Sequence, residues 1–294
     1  MKSGFVGIIG RPNVGKSTLL NAIVGKKIAI TSSTAQTTRN MIQGIYNSEN
    51  LQIVFVDTPG IHKPENKLGK ILNKQAYYTL DDVDVILFLT DVTQKLGTGD
   101  KFVIEKLKET NVPVILILNK IDKIPYEMIL PKIDEYKDLY DFKEIIPISA
   151  FKQKNIDELI KTVSNYLVDD IKYFNEDMIT NVSTTFSISE LIREKVLLLT
   201  KEEVPHSVTC IIDDISEDKN NISIGASVIV DRENLKKILI GKNGNMIKKI
   251  GIEARKDIEN LLSKKVYLDL RVKVVNNWRE KEQFLNQLGY EDFK

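Results

Sequence analysis

Gly10-Arg11-Pro12-Asn13-Val14-Gly15-Lys16-Ser17 fits the pattern G-x-x-x-x-G-K-[ST], with Thr18 following. An apolar run enters it and a helical stripe leaves it. In that setting glycines let backbone N–H groups curl around phosphate oxygens, and the helix N-terminus adds partial positive charge. Lys16 would reach the β- and γ-phosphates, and the Ser17 hydroxyl would hold Mg²⁺. Asp57-Thr58-Pro59-Gly60 comes directly off the apolar run ending at Val56. A carboxylate at the tip of a buried strand, facing the loop, is where a further Mg²⁺ partner sits, and the Gly60 N–H would meet the γ-phosphate.

Asn119-Lys120-Ile121-Asp122 ends another apolar run. One aspartate accepting from both N1–H and N2–H₂ selects guanine over adenine, because adenine lacks that pair of donors. Asn119 and Lys120 can brace the loop and cover the base. Ile148-Ser149-Ala150 follows the next run, where a backbone N–H would meet the guanine O6. Singly, D-x-x-G and the short Ser-Ala motif are weak. Together, in this order and each at a strand end, the motifs read as a nucleotide site selective for GTP and GDP. Between the loop and Asp57 lies Gln36-Thr37-Thr38-Arg39-Asn40. A hydroxyl here would complete the Mg²⁺ shell only when the γ-phosphate is present, as in GTPase switches. Thr38 is the first choice and Thr37 the alternative. Ile61 follows Gly60 where a glutamine would orient the attacking water, so the water must be organised otherwise. His62 reads as a loop histidine rather than a base. Unaided turnover is expected on the order of 10⁻⁴–10⁻² s⁻¹.

These residues need a scaffold of strands with helices between them. Phe5–Ile9, Leu51–Val56, Val85–Leu89 and Val112–Leu118 are near-continuous apolar runs, the pattern of strands buried on both faces of a parallel sheet. Leu20, Ile23 and Val24, and later Ile156, Leu159, Ile160, Val163 and Leu167, follow helical spacing. The expected fold is α/β, a doubly wound, mostly parallel sheet over residues 1–170. Residues 171–187 are polar and without period, and read as a linker. From 188 to 294 the order α-β-β-α-α-β predicts a small α+β domain.

The chain has 294 residues, 42 Lys+Arg against 41 Asp+Glu, one cysteine and two histidines. That excludes a disulfide framework and a Cys/His metal cluster. No apolar run reaches the ~18 residues of a membrane span, and the run at Phe5–Ile9 is short for a signal peptide, so a cytoplasmic protein is expected. The near-neutral total hides a division. Arg232 to Lys281 carries 14 basic against 6 acidic residues, whereas residues 1–180 carry 23 of each.

The chain resembles the Era family of bacterial GTPases, within the TrmE–Era group. The resemblance rests on GRPNVGKS (10–17), QTTRN (36–40), DTPGIHKP (57–64), NKID (119–122) and ISA (148–150). In the second half it rests on IREK (192–195), EEVPHS (202–207), LIGKNGNMIKKIG (239–251), KKVYLDLRVKV (264–274) and NW (277–278). It implies a GTPase domain joined to a type II KH domain, binding near the 3′ end of small-subunit (16S) ribosomal RNA, and a role in maturing the 30S subunit. It also implies a loose peripheral association with the inner membrane. In potassium-dependent relatives an asparagine of the loop helps bind K⁺, and Asn13 stands at that position. Ala35 stands where proline is frequent, Asn40 where histidine is frequent, and Asn175 where proline is common, which predicts a looser linker.

Gly241-Lys242-Asn243-Gly244 lies between two helical segments. In KH domains such a loop lets the backbone approach about four nucleotides. Lys242, Lys248 and Lys249 flank it and suit phosphates. Bases would lie along the apolar groove beside Ile240 and Ile247. Cys210 reads as buried and inert, and Trp278 as either an RNA-stacking or a helix-packing residue. Two functions follow: an enzyme whose GTP hydrolysis gates RNA binding, or an RNA-binding adapter in which nucleotide is a slow conformational label.

Overall fold

The computed structural model describes residues 1–32, 34, 37–61, 63–64, 66–218 and 221–290. Ala35, Gln36 and His62 lie outside the described residues.

The first half runs β1 (Lys2–Gly10), α1 (Lys16–Val24), β2 (Ile42–Ser48), β3 (Leu51–Asp57), α2 (Lys67–Asp81), β4 (Val85–Asp91), α3 (Thr98–Leu107), β5 (Val114–Asn119), α4 (Ile129–Tyr136), β6 (Glu144–Pro147) and α5 (Ile156–Ser164). The sheet order is β2-β3-β1-β4-β5-β6. All neighbours pair in parallel except β2, which runs antiparallel to β3. One face packs on α1 and α5 through Leu20, Ile23, Leu159 and Val163. The other packs on α2, α3 and α4 through Ala76, Val103, Leu107 and Tyr136. Burial on both faces is why β1, β3, β4 and β5 are near-continuous apolar runs. β2 is absent from the sequence expectation because an edge strand with one protected face has no such run.

That edge is where the expected linker goes. Ile45 N donates to Ile179 O at 2.9 Å and Thr180 Oγ1 to Gln43 O at 2.8 Å. The Gln52 amide bonds the backbone of Phe174 in both directions, at 2.9 and 3.0 Å. The segment is strung along the sheet, covering strand groups that would otherwise remain open. Without a proline at Asn175, the segment is held by backbone and side-chain bonds.

The second half runs α6 (Thr184–Leu199), β7 (Val208–Glu217), β8 (Asn221–Val230), α7 (Glu233–Ile240), α8 (Asn245–Leu262), β9 (Lys265–Val274) and α9 (Glu282–Gln287). Ser183 caps α6 by accepting from Phe186 N at 3.1 Å, so the helix begins four residues before its first stripe residue, Ile188. β8 pairs antiparallel with β7 and parallel with β9. α6, α7 and α8 cover one face of this sheet through Ile192, Leu239 and Ile250. Leu68, Ile71 and Leu72 of α2 pack with Trp278, Leu285 and Tyr290, joining the two halves.

Candidate functional site

The loop between β1 and α1 closes on itself before any ligand is considered. Lys16 is buried, and its Nζ donates to Gly10 O at 3.2 Å and Arg11 O at 3.1 Å. Gly15 sits at φ 104°, and a Cβ there would lie 2.3 Å from Asn119 Nδ2. Only glycine fits both the conformation and the contact. Val14 fills the core beneath, while Arg11 is held sideways by Asp100 at 2.7 Å and Gln94 at 3.2 Å. A cavity of about 380 Å³ opens here, lined by Pro12, Asn13, Ser17, Thr18, Thr38 and Gly60.

Three oxygens converge beside Lys16. Ser17 Oγ lies 2.7 Å from Thr38 Oγ1 and donates to Asp57 Oδ2 at 2.6 Å, with Thr38 Oγ1 at 3.3 Å from the same carboxylate. Thr37 points elsewhere, to Thr34 O at 2.6 Å and Ser32 Oγ at 2.7 Å. Between the two threonines, the geometry selects Thr38. Burial lowers the Lys16 ammonium to about 8, against the attraction of Asp57. Burial raises Asp57 to about 6, against Lys16 and the Ser17 and Thr38 hydroxyls. Asp57 Oδ1 is buried and has no hydrogen-bond partner. A phosphate would relieve the lysine and a hard divalent cation the carboxylate. One carboxylate and two hydroxyls suit Mg²⁺, which takes its remaining ligands from phosphate and water.

Thr58 Oγ1 donates to Ile8 O at 2.9 Å, and Pro59 and Gly60 follow buried against the loop. Ile61 N donates to Gly10 O at 3.2 Å while its side chain is buried in the core with Ala76 and Leu80. Its buried side chain anchors this segment in the core and carries no group that can hydrogen-bond a water.

On the far side, Asn119 ties three segments together. Its Nδ2 donates to Val14 O at 2.8 Å, and its Oδ1 accepts from Lys120 N at 2.8 Å and Ala150 N at 3.0 Å. Asp122 is exposed, outside the lining of the cavity itself, and accepts from Ser149 Oγ at 2.5 Å. Lys120 Nζ donates to Asn13 O at 2.8 Å and Asp91 Oδ2 at 2.6 Å. Sequence reasoning missed Asp91. Its signal was a lone carboxylate at the C-terminal end of a buried parallel strand, the position that also marks Asp57.

Arg39 and Asn40 leave the site toward the second half. Arg39 is buried, donates to Val208 O at 2.6 Å, and lies 5.7 Å from the Trp278 ring centre. Asn40 is half-buried just ahead of β2. Trp278 is fully buried and donates to Ser207 O at 2.9 Å. Of the two readings for Trp278, RNA stacking is overturned, because its face is spent on Arg39 and on Phe284. Cys210 is buried and burial pushes its thiol up to about 12, with Arg193 opposing, so it is inert.

The Gly241–Gly244 loop joins α7 to α8. Gly241 has φ 72°, and a Cβ would lie 2.7 Å from Met246 Cβ. That clash is internal, in addition to any with a ligand backbone. Lys242, Asn243, Lys248 and Lys249 are exposed around it. A groove of about 270 Å³ runs from there between α8 and β9, lined by Ile247, Gly251, Ile252, Arg255, Tyr267 and Leu270. Ile247 is on it. Ile240 ends α7, half-buried, and is not among the residues lining this groove.

A G-x-x-x-x-G-K-S loop between β1 and α1, with Ser17, Thr38 and Asp57 converging beside it, and an α-β-β-α-α-β unit presenting a basic G-x-x-G loop are the features of a P-loop GTPase joined to a KH domain. A family model described as 50S ribosome-binding GTPase matches residues 5–120, and one described as KH domain matches 203–279. A variant of Aquifex aeolicus Era bound to GDP·AlF₄⁻ is 44% identical with a TM-score of 0.95, covering 99% of both chains. Era in complex with MgGDPNP and nucleotides 1506–1542 of 16S ribosomal RNA is 44% identical with a TM-score of 0.96, again over 99% of both chains. The chain belongs to the Era family of GTPases.

Proposed function

We propose that this protein hydrolyses GTP to GDP with Mg²⁺ and binds the 3′ region of small-subunit ribosomal RNA through its KH domain, assisting assembly and maturation of the 30S subunit. The carrying observation is the meeting of Ser17, Thr38 and Asp57 at one buried point, in a chain whose other half exposes Lys242, Lys248 and Lys249 around a glycine loop. The ligands of its Era relative are an Mg²⁺-loaded GTP analogue and 16S RNA, and both suit these two sites. In this reading residues 1–170 are the GTPase domain, 171–187 the linker and 188–294 the KH domain. Lys16 and the loop amides hold the phosphates, and Mg²⁺ would neutralise the charge developing between β- and γ-phosphates. Asp122 accepts from the guanine edge, with Asn119, Lys120, Ser149 and Ala150 holding its loop.

Asn13 is the proposed ligand of a K⁺ ion, which would supply positive charge where Ile61 leaves no glutamine. Equal hydrolysis rates in KCl and NaCl would refute it. Among the described residues no helix is long and apolar enough to cross a membrane. The proposed location is the cytoplasm, with loose contact to the inner membrane. Crosslinking to ribosomal RNA with a GTP analogue and with GDP tests the whole reading: crosslinks should concentrate at the 3′ end of the small-subunit RNA and be stronger with the analogue. A Lys16→Ala variant that still supports small-subunit maturation would favour the adapter reading.

A further inference from the structure

Thr38 is held from both sides by the other domain. On one flank the Thr37 carbonyl accepts from Arg193 Nη2 of α6. On the other, Arg39 Nη1 donates to Val208 O of β7 at 2.6 Å. α6 also meets the start of the same stretch: Glu194 Oε1 accepts from Thr31 N at 3.0 Å, and its Oε2 from Lys27 Nζ at 2.5 Å. Arg193 is 1% exposed, and Glu190 aims its guanidinium, accepting from Nε at 2.7 Å and Nη2 at 2.6 Å.

Packing alone does not explain an arginine there. Burying a guanidinium is costly, and a methionine of similar length would fill the space without that cost. Arg193 Nη1 is buried and makes no hydrogen bond, so the pair with Glu190 does not use the full fork. The group reached by the fork is the peptide that carries Thr38, whose hydroxyl lies 2.7 Å from Ser17 Oγ. A threonine between two anchored neighbours keeps its hydroxyl aimed at one point, whereas in a free switch segment that order must be acquired on binding.

We propose that Arg193, a residue of the KH domain, is a positioning residue of the GTPase site, fixing the Thr37–Thr38 peptide so that the Thr38 hydroxyl stays beside Ser17 and Asp57, where it would help hold Mg²⁺. The inference rests on the reading of this cavity as an Mg²⁺–GTP site. Its consequence is that the domain presenting the RNA-binding loop also sets how well the other domain distinguishes triphosphate from diphosphate.

The test is the affinity of the full chain for GDP and for a non-hydrolysable GTP analogue, both with Mg²⁺. Wild type, Arg193→Met, Arg193→Lys, Glu190→Gln, Thr38→Ala and the Arg193→Met/Thr38→Ala double variant are compared. Arg193→Met should lose roughly tenfold on the analogue, the scale of one charge-assisted hydrogen bond, with GDP affinity within about twofold. Arg193→Lys should recover part of the loss, and Glu190→Gln should show a smaller loss of the same selectivity. In the Thr38→Ala background, Arg193→Met should add nothing, because its effect passes through Thr38. Equal loss on both nucleotides, or the same added factor without the Thr38 hydroxyl, overturns the proposal. If Arg193→Met does not fold, an analogue-to-GDP ratio unchanged in both Arg193→Lys and Glu190→Gln overturns it. A wild type that fails to bind the analogue at all refutes the GTP-site reading itself.

Discussion

Two glycine loops, each at the start of a helix, are the proposed phosphate sites of this protein, and they are built in opposite ways. The Gly10–Ser17 loop is enclosed. Its lysine is 6% exposed and already bonded to two carbonyls of its own loop. The Gly241–Gly244 loop is open, with Lys242, Lys248 and Lys249 in solvent. Charges act far more strongly at low local dielectric than in water. The enclosed loop therefore holds one small polyanion tightly in one geometry. The open loop attracts a long polyanion by many screened contacts and leaves room for the strand to enter and leave.

Breaking each loop should expose that difference. The largest effect belongs to Lys16→Ala, expected to slow GTP hydrolysis on the order of 10²–10³-fold, as loss of a preorganised charge donor does. RNA affinity in the absence of nucleotide should stay within about twofold in a filter-binding assay, and failure of that separation would refute the division of labour. Gly241→Asp comes next. Its Cβ would meet Met246 at 2.7 Å in a backbone at φ 72°, and it adds a negative charge where phosphate must approach. RNA affinity should fall at least tenfold while GTP affinity stays near normal, and unchanged RNA binding would sink the KH assignment.

Ionic strength sharpens the comparison without mutation. Three lysine–phosphate contacts to a single strand give a slope near −2 in log affinity against log salt, so RNA binding should weaken about 20-fold between 50 and 200 mM salt. Lys248→Ala should reduce that slope by about 0.7, read from the same titration. The smallest contrast is within the switch. Thr37→Ala should change GTP-analogue affinity by no more than a few-fold, since among the described residues its hydroxyl serves Thr34 O and Ser32, whereas Thr38→Ala should lose clearly more. Equal losses in calorimetry would mean that the threonine at the cation is misassigned.

The legible parts of the site were local. Strand, loop and helix follow one another within Phe5–Val24, so residue type and spacing alone place Lys16 and Ser17. The same holds for Asn119–Asp122 at the end of β5 and for Gly241–Gly244 between two helical stripes. What was missed joins distant positions. Asp91 meets Lys120 from the neighbouring strand at 2.6 Å, and nothing beside Asp91 in the chain marks that partner. Trp278 was left open between two roles because an isolated tryptophan carries no period, and only the packing of α2 against the C-terminal segment buries it. β2 escaped notice for a similar reason: an edge strand is defined by its neighbours, here β3 and the segment near Ile179.

The amino-acid sequence by itself determined the two glycine loops, the Asn119–Asp122 turn proposed to read guanine and the order of elements, because each depends on contacts within a short stretch or on periodic burial. Only the tertiary structure decided which threonine meets Asp57, and that the residues flanking it reach the second half of the chain, Thr37 O accepting from Arg193 and Arg39 donating to Val208 O. Those contacts span 156 and 169 residues of chain, and chain separation carries no spatial information until the sheet and helices have packed.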